Sequence, residues 1–477
     1  MSETKNSNSD KLTRRAMCAY GTGLVSHQFG HVGLGMLAMP IFNVEMGLSP
    51  ALVGGLLMVA RFIDAFTDPV MGAISDNTRT RWGRRRPYLA LGAVLSATLY
   101  PLIWLAGSQW SPTVLSIYFC TTSIMFYLAH TIYSVPYLSL GFELTNNYDE
   151  RTRLQAWRSY FNTAVMLLIG WFYFFCQMPV WGGPVQGARV LGFLVGVGIL
   201  VFGMVPALFL REVNYSFVQH QEREPFLPAA KQAFSNKPFL VVMGIIVTLI
   251  IGSQTAGALG FYLNVYYLYG GNKLAAGALL GVGQLVGAGV GFASAPMIAA
   301  YAKRTDKITA LQACLVIGLI GAVGSWFLFT PSMPYLSLVA MMLLSLGGNA
   351  FWILVNSMKA DVCDWDEMTS GRRREGLYGA LGNWMQKGAT SVTYLAAGLV
   401  LQWTGFNAAA EGAQTSGAIN GMRLGFALIP VVFLVPCLIL LRFYPITKSK
   451  AKEMQEHLKN CRQRNSKGND ATETDGV

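Results

Sequence analysis

Residues 61–87 of this chain read RFIDAFTDPVMGAISDNTRTRWGRRRP, and an apolar segment that begins near residue 51 ends within them. The apolar part is followed by five arginines between positions 79 and 86. About 20 mainly apolar residues suffice for a helix that crosses the hydrocarbon core of a bilayer. Basic residues directly after such a segment are typical of a cytoplasmic loop. The stretch therefore predicts a membrane-spanning helix that ends at the cytoplasmic face.

The composition of the 477 residues agrees with a membrane protein. Hydrophobic residues account for 53% of the chain and charged residues for only 13%, whereas soluble domains are about 25% charged. The net charge is +12, but the basic residues lie in short segments between apolar runs, as in cytoplasmic loops. Composition and charge distribution together disfavour a soluble enzyme and a nucleic-acid-binding protein.

Twelve segments have the length and apolarity of a membrane span, six before and six after a polar central loop. Their approximate bounds are 17–43, 51–74, 88–107, 113–142, 155–178, 190–211, 239–268, 275–300, 308–329, 335–359, 378–403 and 422–444. Lysine and arginine concentrate in the two tails and in the loops after even-numbered spans, which predicts that both termini are cytoplasmic. The pattern predicts an all-α polytopic membrane protein with twelve transmembrane helices in two pseudo-symmetric bundles of six.

The predicted organisation has five parts. They are a cytoplasmic tail at 1–16, a six-helix bundle at 17–211, a central cytoplasmic loop at 212–237, a second six-helix bundle at 238–444 and a cytoplasmic tail at 445–477. The last part becomes charged and then low in complexity, so we expect it to be disordered.

Several patterns that carry catalysis or metal binding do not occur in the sequence. It has no GxxxxGK[ST] loop for nucleotide phosphates, no HExxH motif and no Ser/His/Asp elbow. Its seven cysteines form neither a CxxC pair nor a Cys/His cluster, which argues against a metal site and a disulfide framework. We therefore expect no enzyme and no resident cofactor or metal, apart from a transported Na⁺.

Four ionisable residues lie deep within predicted spans, namely Arg61, Asp64 and Asp68 in the second span and Lys387 in the eleventh. The i, i+3, i+7 spacing places the first three on one face of a helix. Each charge at a bilayer centre costs about 2.5–3.5 kcal/mol, so such residues mark ion or substrate paths by default. Two carboxylates one turn apart repel each other unless a cation lies between them, and Na⁺ or H⁺ would serve. Alternatively, the four groups form a closed and inert network, because their formal charges sum to zero.

Further polar residues in the spans suit a carbohydrate ligand, since polar groups bind hydroxyls and aromatic faces stack on sugar rings. A single His or Asn in a membrane helix is more often a hydrogen bond between helices, and it is their convergence with the aspartates that favours a site. The candidate substrate site comprises His27, Gln28, Arg61, Arg158, Trp352 and Asn383.

Three segments resemble the glycoside–pentoside–hexuronide:cation symporters. These are residues 61–87, the acidic and basic segment from Ala360 to Gly376, and Lys387 in the eleventh span. The matches occur in order and in both halves of the chain. The resemblance implies a major facilitator fold and cation-coupled sugar uptake by alternating access.

The resemblance also implies roles for individual residues. Asp64 and Asp68 match the family's cation-binding carboxylates, and Lys387 and Thr131 match groups near the cation. Arg158 and Trp352 match positions of the sugar site. With Ser134, the candidate cation site comprises Asp64, Asp68, Thr131, Ser134 and Lys387.

Departures from the family pattern bear on the substrate and the ion. Ser134 and Gln28 stand where the best-known member has aspartates, and His27 stands where it has a lysine. Because two carboxylates are replaced, sodium coupling, proton coupling and uncoupled facilitation all remain open. The same replacements near Arg158 would suit an acidic sugar such as a uronide.

Charged residues in the predicted cytoplasmic loops are candidates for a gate. Positive loops are expected on this side from topology alone, but the interleaved acids are not needed for orientation. The candidates are Asp76, Arg81, Glu143, Arg151 and Arg153 in the first half, facing Asp361, Asp364, Asp366, Arg372, Arg373 and Arg374 in the second.

The sequence thus predicts a secondary active transporter in which Na⁺ or H⁺ drives symport of a sugar, glycoside or hexuronide. The expected partners are that small molecule, the coupling cation and membrane lipid, with no nucleic acid. We expect a monomer in a plasma membrane of the bacterial inner-membrane type. Two other classes remain open: a carrier of lipid, lysolipid or another organic solute on the same fold, and a transport-inactive membrane sensor.

Overall fold

The computed structural model describes residues 12–145, 148–210, 231–370, 374–410, 412–454 and 456–458. These residues contain twelve long helices, and no strand occurs among them. The helices are α1 Arg14–Ala38, α2 Pro50–Asn77, α3 Arg86–Ile103, α4 Pro112–Glu143, α5 Tyr148–Gly170, α6 Pro184–Phe209, α7 Lys237–Tyr262, α8 Lys273–Arg304, α9 Lys307–Leu328, α10 Ser337–Ser370, α11 Glu375–Trp403 and α12 Ser416–Arg442. Each corresponds to one predicted span.

Within the part of the chain that the structure describes, nine of these helices have the length and the apolar composition of a membrane span. The prediction of twelve spans is therefore confirmed for nine, while α1, α3 and α11 are long helices that fall short of that measure. Their composition explains the shortfall. α1 and α11 carry polar residues of the candidate site, and the 18 residues of α3 include Arg86, two prolines and two tyrosines.

Local sequence explains where several helices begin. The hydroxyls of Ser49 and Ser111 cap α2 and α4, each accepting a hydrogen bond from the backbone N–H three residues later. Pro50 and Pro112 occupy the first helical positions, where a missing N–H has no consequence. The predicted bounds of these two helices are therefore close to the observed ones.

Two parts of the chain differ from the prediction. α10 extends past residue 359 to Ser370, so that Asp361 and Asp366 lie on a helix rather than in a loop. Their half of the helix is partly buried, and no glycine or proline interrupts it before Ser370. Residues 448–454 and 456–458 of the tail are helical rather than disordered, because Met454 and Leu458 are buried. Residues 211–230 of the central loop and 459–477 of the tail lie outside the described residues.

The two halves of the chain, α1–α6 and α7–α12, share one apolar core and each have one of their own. We call the side on which α1 begins the terminal face, and the side on which α1 ends the distal face. The shared core lies toward the distal face and includes Phe42 and Tyr262. Tyr20 belongs to a separate core of the first half, and Phe351 to a separate core of the second. The halves are therefore packed together at the distal face.

Glycines allow α2 and α11 to approach closely in the distal part. A Cβ atom on Gly54 would lie 2.3 Å from the carbonyl oxygen of Tyr394, and one on Gly398 would lie 2.3 Å from that of Pro50. No side chain fits at either glycine without moving the backbone. The helix pair therefore depends on small residues, as is common in membranes.

α1 and α7 both continue into a π-helical turn, Met39–Glu45 and Leu263–Leu268. Such turns are rare and are often found at functional positions. Here they occupy the same place in the two halves, which agrees with a repeat of six helices. Next to them Tyr262 donates its hydroxyl to Asn43 Oδ1 at 2.7 Å, and Lys273 Nζ lies 2.8 Å from Glu45 Oε2.

Candidate cation and substrate site

The charged face of α2 forms the centre of the candidate site. Arg61 Nη1 donates to Asp64 Oδ2 at 2.6 Å, and both side chains are almost fully buried. Asp68 lies one turn further along the same face, as the i, i+4 spacing requires. Both carboxylates thus lie together within a membrane-spanning helix.

Lys387 of α11 is the counter-ion of both carboxylates. Its Nζ lies 2.9 Å from Asp64 Oδ2 and 2.5 Å from Asp68 Oδ2. With Arg61, the cluster holds two formal positive and two formal negative charges. The two aspartates belong to the first half and the lysine to the second, so these ion pairs connect the halves.

The two carboxylates differ in their remaining contacts. Thr131 of α4 donates its hydroxyl to Asp64 Oδ1, so Asp64 has three partners. Asp68 Oδ1 is buried and has no hydrogen-bond partner within the described residues. Ser134 is buried on α4 one turn beyond Thr131, and no hydrogen bond from it to either carboxylate is found among the described contacts. Asp68 is therefore the less completely satisfied acid.

Three histidines pack beside this cluster in the first half. The rings of His27 and His130 stack with centroids 5.1 Å apart, and His31 lies 6.0 Å from His27. His31 Nε2 contacts the Arg61 guanidinium. His27 Nδ1 and His130 Nε2 are buried without a hydrogen-bond partner in the described part of the chain. Of the three, only His27 was predicted as a substrate-site residue, and the fold places His31 and His130 beside it.

A polar group from α1 and α5 lines the first half near these histidines. Gln28 Nε2 donates to Asn162 Oδ1 at 2.6 Å. Arg158 Nη1 donates to Gln155 Oε1 at 3.3 Å, and no carboxylate pairs with it among the residues described. The sequence reading missed Asn162, although its position four residues after Arg158 puts both on one helix face. Arg158 thus remains available to a ligand.

The second half contributes a tryptophan and an amide. Trp352 of α10 is 42% exposed and borders a cavity within this half. Asn383 of α11 is also exposed, and no hydrogen bond involving its side chain occurs among the described contacts. Its neighbour Trp384 packs edge-on against Phe66 of α2, with centroids 6.1 Å apart.

The predicted gate residues of the first half form a local cluster. Asp76 Oδ1 lies 3.0 Å from Arg85 Nη2, and Glu143 Oε1 lies 2.8 Å from the same nitrogen. Arg84 also contacts Glu143. Arg81 instead lies over the ring of its neighbour Trp82. The acids pair with the two buried arginines Arg84 and Arg85.

The remaining gate residues pair within their own half. Arg153 contacts Glu150 at 3.2 Å. In the second half Lys307 lies 2.6 Å from Asp361, and the Arg374 guanidinium binds both oxygens of Asp366 at 2.9 and 3.0 Å. Asp364 lies on α10, whereas the side chain of Arg151 and residues Arg372 and Arg373 lie outside the described residues. No described contact joins the two gate clusters across the halves.

The ion pair between Glu45 and Lys273 was not expected from the sequence. Both lie at span ends, where a charge is unremarkable, so no local signal distinguishes them. Gln177 Nε2 also donates to Glu45 Oε1 at 2.9 Å. Only the packing of the two halves reveals that these groups join them at the distal face.

The sequence of this chain is similar to those of known transporters. Residues 19–448 match the family described as MFS/sugar transport protein. The glucuronide carrier protein homolog of Escherichia coli strain K12 is 25% identical over 94% of this chain and 96% of its own length. The isoprimeverose transporter of Lactiplantibacillus pentosus is 26% identical over 88% of this chain and 86% of its own length.

Solved structures show the same fold. A bacterial homologue of the human lysosomal transporter Spinster, solved in an inward-facing and unoccupied conformation, superposes with a TM-score of 0.65 at 14% identity. The match covers 93% of this chain and 96% of that one. The fold is therefore that of the major facilitator transporters, and the resemblance to glycoside–pentoside–hexuronide symporters is confirmed. This chain belongs to the MFS/sugar transport protein family and is an integral membrane transporter rather than an enzyme.

Proposed function

We propose that this transporter couples the movement of a sugar, glycoside or hexuronide to that of Na⁺ or H⁺ by alternating access. The observation that carries the proposal is the position of Lys387 against the carboxylates of both Asp64 and Asp68. Whatever replaces the lysine also changes the contact between the halves. Coupling requires such a link, because each ligand must change the affinity of the other by the same factor.

In the cation step, Na⁺ or a proton takes over the role of Lys387 as counter-ion. Asp68 is the group that receives it first, since its Oδ1 lacks a partner among the described residues and its side chain is 25% exposed. Thr131 and Ser134 supply hydroxyl oxygens near the carboxylates. An uncompensated charge at this depth costs about 2.5–3.5 kcal/mol, so the lysine and the cation alternate.

In the substrate step, the polar groups of the first half bind the sugar hydroxyls. His27, Gln28 and Asn162 line one side, and Trp352 and Asn383 lie on the facing helices of the second half. Arg61 is engaged with Asp64 and orients the carboxylate rather than the sugar. Arg158 has no described carboxylate partner, which favours a hexuronide over a neutral sugar.

The conformation follows from the faces at which the halves meet. The start of α1, the described basic loop at 79–86 and the helical residues 448–454 lie toward the terminal face. We therefore assign this face to the cytoplasmic side of a bacterial inner membrane. The described contacts close the distal face, which corresponds to a conformation open toward the cytoplasm. The cluster of Asp76 and Glu143 would meet that of Asp361 and Asp366 when the terminal face closes. No part of this cycle needs a second subunit.

Uptake into proteoliposomes tests the proposal. A panel of D-glucose, D-xylose, D-glucuronate and their methyl glycosides is offered with a sodium gradient, a proton gradient or neither. We expect uptake of at least one sugar to require one of the gradients. Asp68→Asn should lower gradient-driven uptake by more than about tenfold, whereas Asp306→Asn, at the start of α9, should not. Uptake that ignores both gradients, or that survives Asp68→Asn, would contradict the coupling.

A further inference from the structure

The second half encloses a cavity of about 520 Å³ between α7, α8, α9, α10 and α12. Its walls are mainly apolar and include Phe261, Leu280, Met341, Phe351 and Phe433. The volume falls within the range of small-molecule pockets. The polar groups of the first half do not line this cavity, and of the candidate substrate residues only Trp352 does.

The cavity reaches the boundary between the halves. Gln284 at its edge packs against Gly170 of α5, and the ring of Phe261 lies edge-on against Tyr173 with centroids 4.8 Å apart. Gly170 and Tyr173 both belong to the first half. One edge of the cavity therefore borders the first half.

The cavity also lies at the depth of the ion cluster. Gln254 at its wall donates to Thr390 Oγ1 at 3.4 Å, and Thr390 follows Lys387 by less than one turn of α11. Trp352, half-exposed, forms part of the same wall. The cavity thus shares Trp352 with the candidate substrate site and borders the helix that carries Lys387.

The two sides of this site differ in chemistry. The side formed by α1 and α5 presents Gln28, Asn162 and Arg158, which can bind hydroxyls or a carboxylate. The cavity walls are mainly apolar, with polar side chains that include Ser253, Gln254, Asn264, Gln284 and Ser345. Sugar hydroxyls buried against the apolar part would lose their hydrogen bonds to water. The ligand that satisfies both sides has a polar ring and an apolar substituent.

We propose that the cavity holds the apolar aglycone of a glycoside whose sugar ring is bound by the first half. The proposal rests on the proposed function and narrows its substrate class to aryl or alkyl glycosides and glycosiduronates. Burial of an aryl ring should raise affinity on the order of tenfold over the matching methyl glycoside, after the losses on binding.

Glycines in the wall allow the cavity to be filled selectively. A Cβ atom on Gly257 of α7 or Gly348 of α10 would meet nothing within 4 Å, and both residues line the cavity. Gly257→Leu and Gly348→Leu therefore place a side chain in the empty space, and leucine favours a helix more than glycine does. Gly417→Leu on α12 is the matched control, since its Cβ also meets nothing and it does not line the cavity.

The test compares methyl and 4-nitrophenyl β-glycosides of glucose, xylose and glucuronic acid in proteoliposomes. Affinities are measured by isothermal titration and by competition for uptake. We expect the nitrophenyl compound to bind more tightly in the unmodified protein and the ratio of affinities to fall toward one in both cavity variants. The Gly417→Leu control should keep the original ratio.

Three results would overturn the assignment. One is equal affinity for methyl and nitrophenyl glycosides, and another is an unchanged ratio in the filled variants. A third is a change in thermal stability in lipid without any change in the ratio, which would assign the cavity to a lipid chain. Binding of methyl glycosides with no gain from the aryl ring refutes only the aglycone site, whereas no binding of any glycoside contradicts the proposed function as well.

Discussion

The Nζ atom of Lys387 lies 2.5 Å from Oδ2 of Asp68, and the two residues belong to different halves of the molecule. Lys387 also contacts Asp64, whose other partners come from the first half alone. One ammonium group therefore both balances the buried carboxylates and joins the halves at mid-depth. A cation that takes its place removes this contact, which links ion binding to the movement of the halves.

Replacing Lys387 should destabilise the protein through charge imbalance. Lys387→Met leaves two carboxylates facing Arg61 alone, and we expect a loss of about 2.5–3.5 kcal/mol of unfolding free energy. The double variant Lys387→Met, Asp68→Asn restores neutrality and should recover most of it. Thermal unfolding in lipid nanodiscs measures both, with Lys303→Met on the exposed end of α8 as control. A double variant no more stable than the single one would refute the charge-balance argument.

Arg158→Gln should discriminate between acidic and neutral sugars. Hydrogen bonds to charged groups contribute about 1.5–3 kcal/mol, so affinity for D-glucuronides should fall by roughly tenfold or more. Affinity for the corresponding glucosides should change much less. Arg14→Gln at the start of α1 is the control, since Arg14 is exposed and belongs to neither the candidate site nor the candidate gate. Equal losses for both sugar classes would show that Arg158 does not bind a carboxylate.

Gly398→Val should prevent the distal contact between α2 and α11. A Cβ at this position would lie 2.3 Å from the carbonyl oxygen of Pro50, so the helices must separate. We expect uptake to fall by more than about tenfold, since closure at the distal face fails. Gly379→Val on the same helix is the control, because its Cβ meets nothing within 4 Å. Similar uptake by the two variants would mean that this close approach is not required.

Glu45→Gln should weaken closure at the distal face. It leaves the partly buried ammonium of Lys273 with a neutral partner, whereas the ion pair is intact at 2.8 Å in the unmodified protein. Spin labels on the distal ends of α2 and α8 should then report a larger share of long distances. Adding Lys273→Met should reverse part of this shift. An unchanged distance distribution in Glu45→Gln would show that the pair does not hold the halves together.

Much of the helical layout follows from local sequence. Ser49 with Pro50 and Ser111 with Pro112 mark helix starts that fall within a residue or two of the predicted ones. The extension of α10 to Ser370 was missed, because a segment with several charged residues has the low hydropathy that is typical of a loop. In the folded protein, Asp361 and Asp366 pair with basic residues of the same half. Likewise, Met454 is buried only because the second half provides a surface for it.

The sequence by itself determined the helical spans, their division into two halves and the stripe of Arg61, Asp64 and Asp68, since hydropathy and helical spacing act over a few residues. The sequence also predicted that Lys387 lies near that stripe. Only the tertiary structure showed its contacts with both carboxylates, because Lys387 is separated from Asp64 by 323 positions in the chain. The same holds for the Glu45–Lys273 pair, Asn162 beside Gln28, and the cavity of the second half. Contacts between distant segments depend on how the helices pack, and a pattern over a few neighbouring residues does not predict that packing.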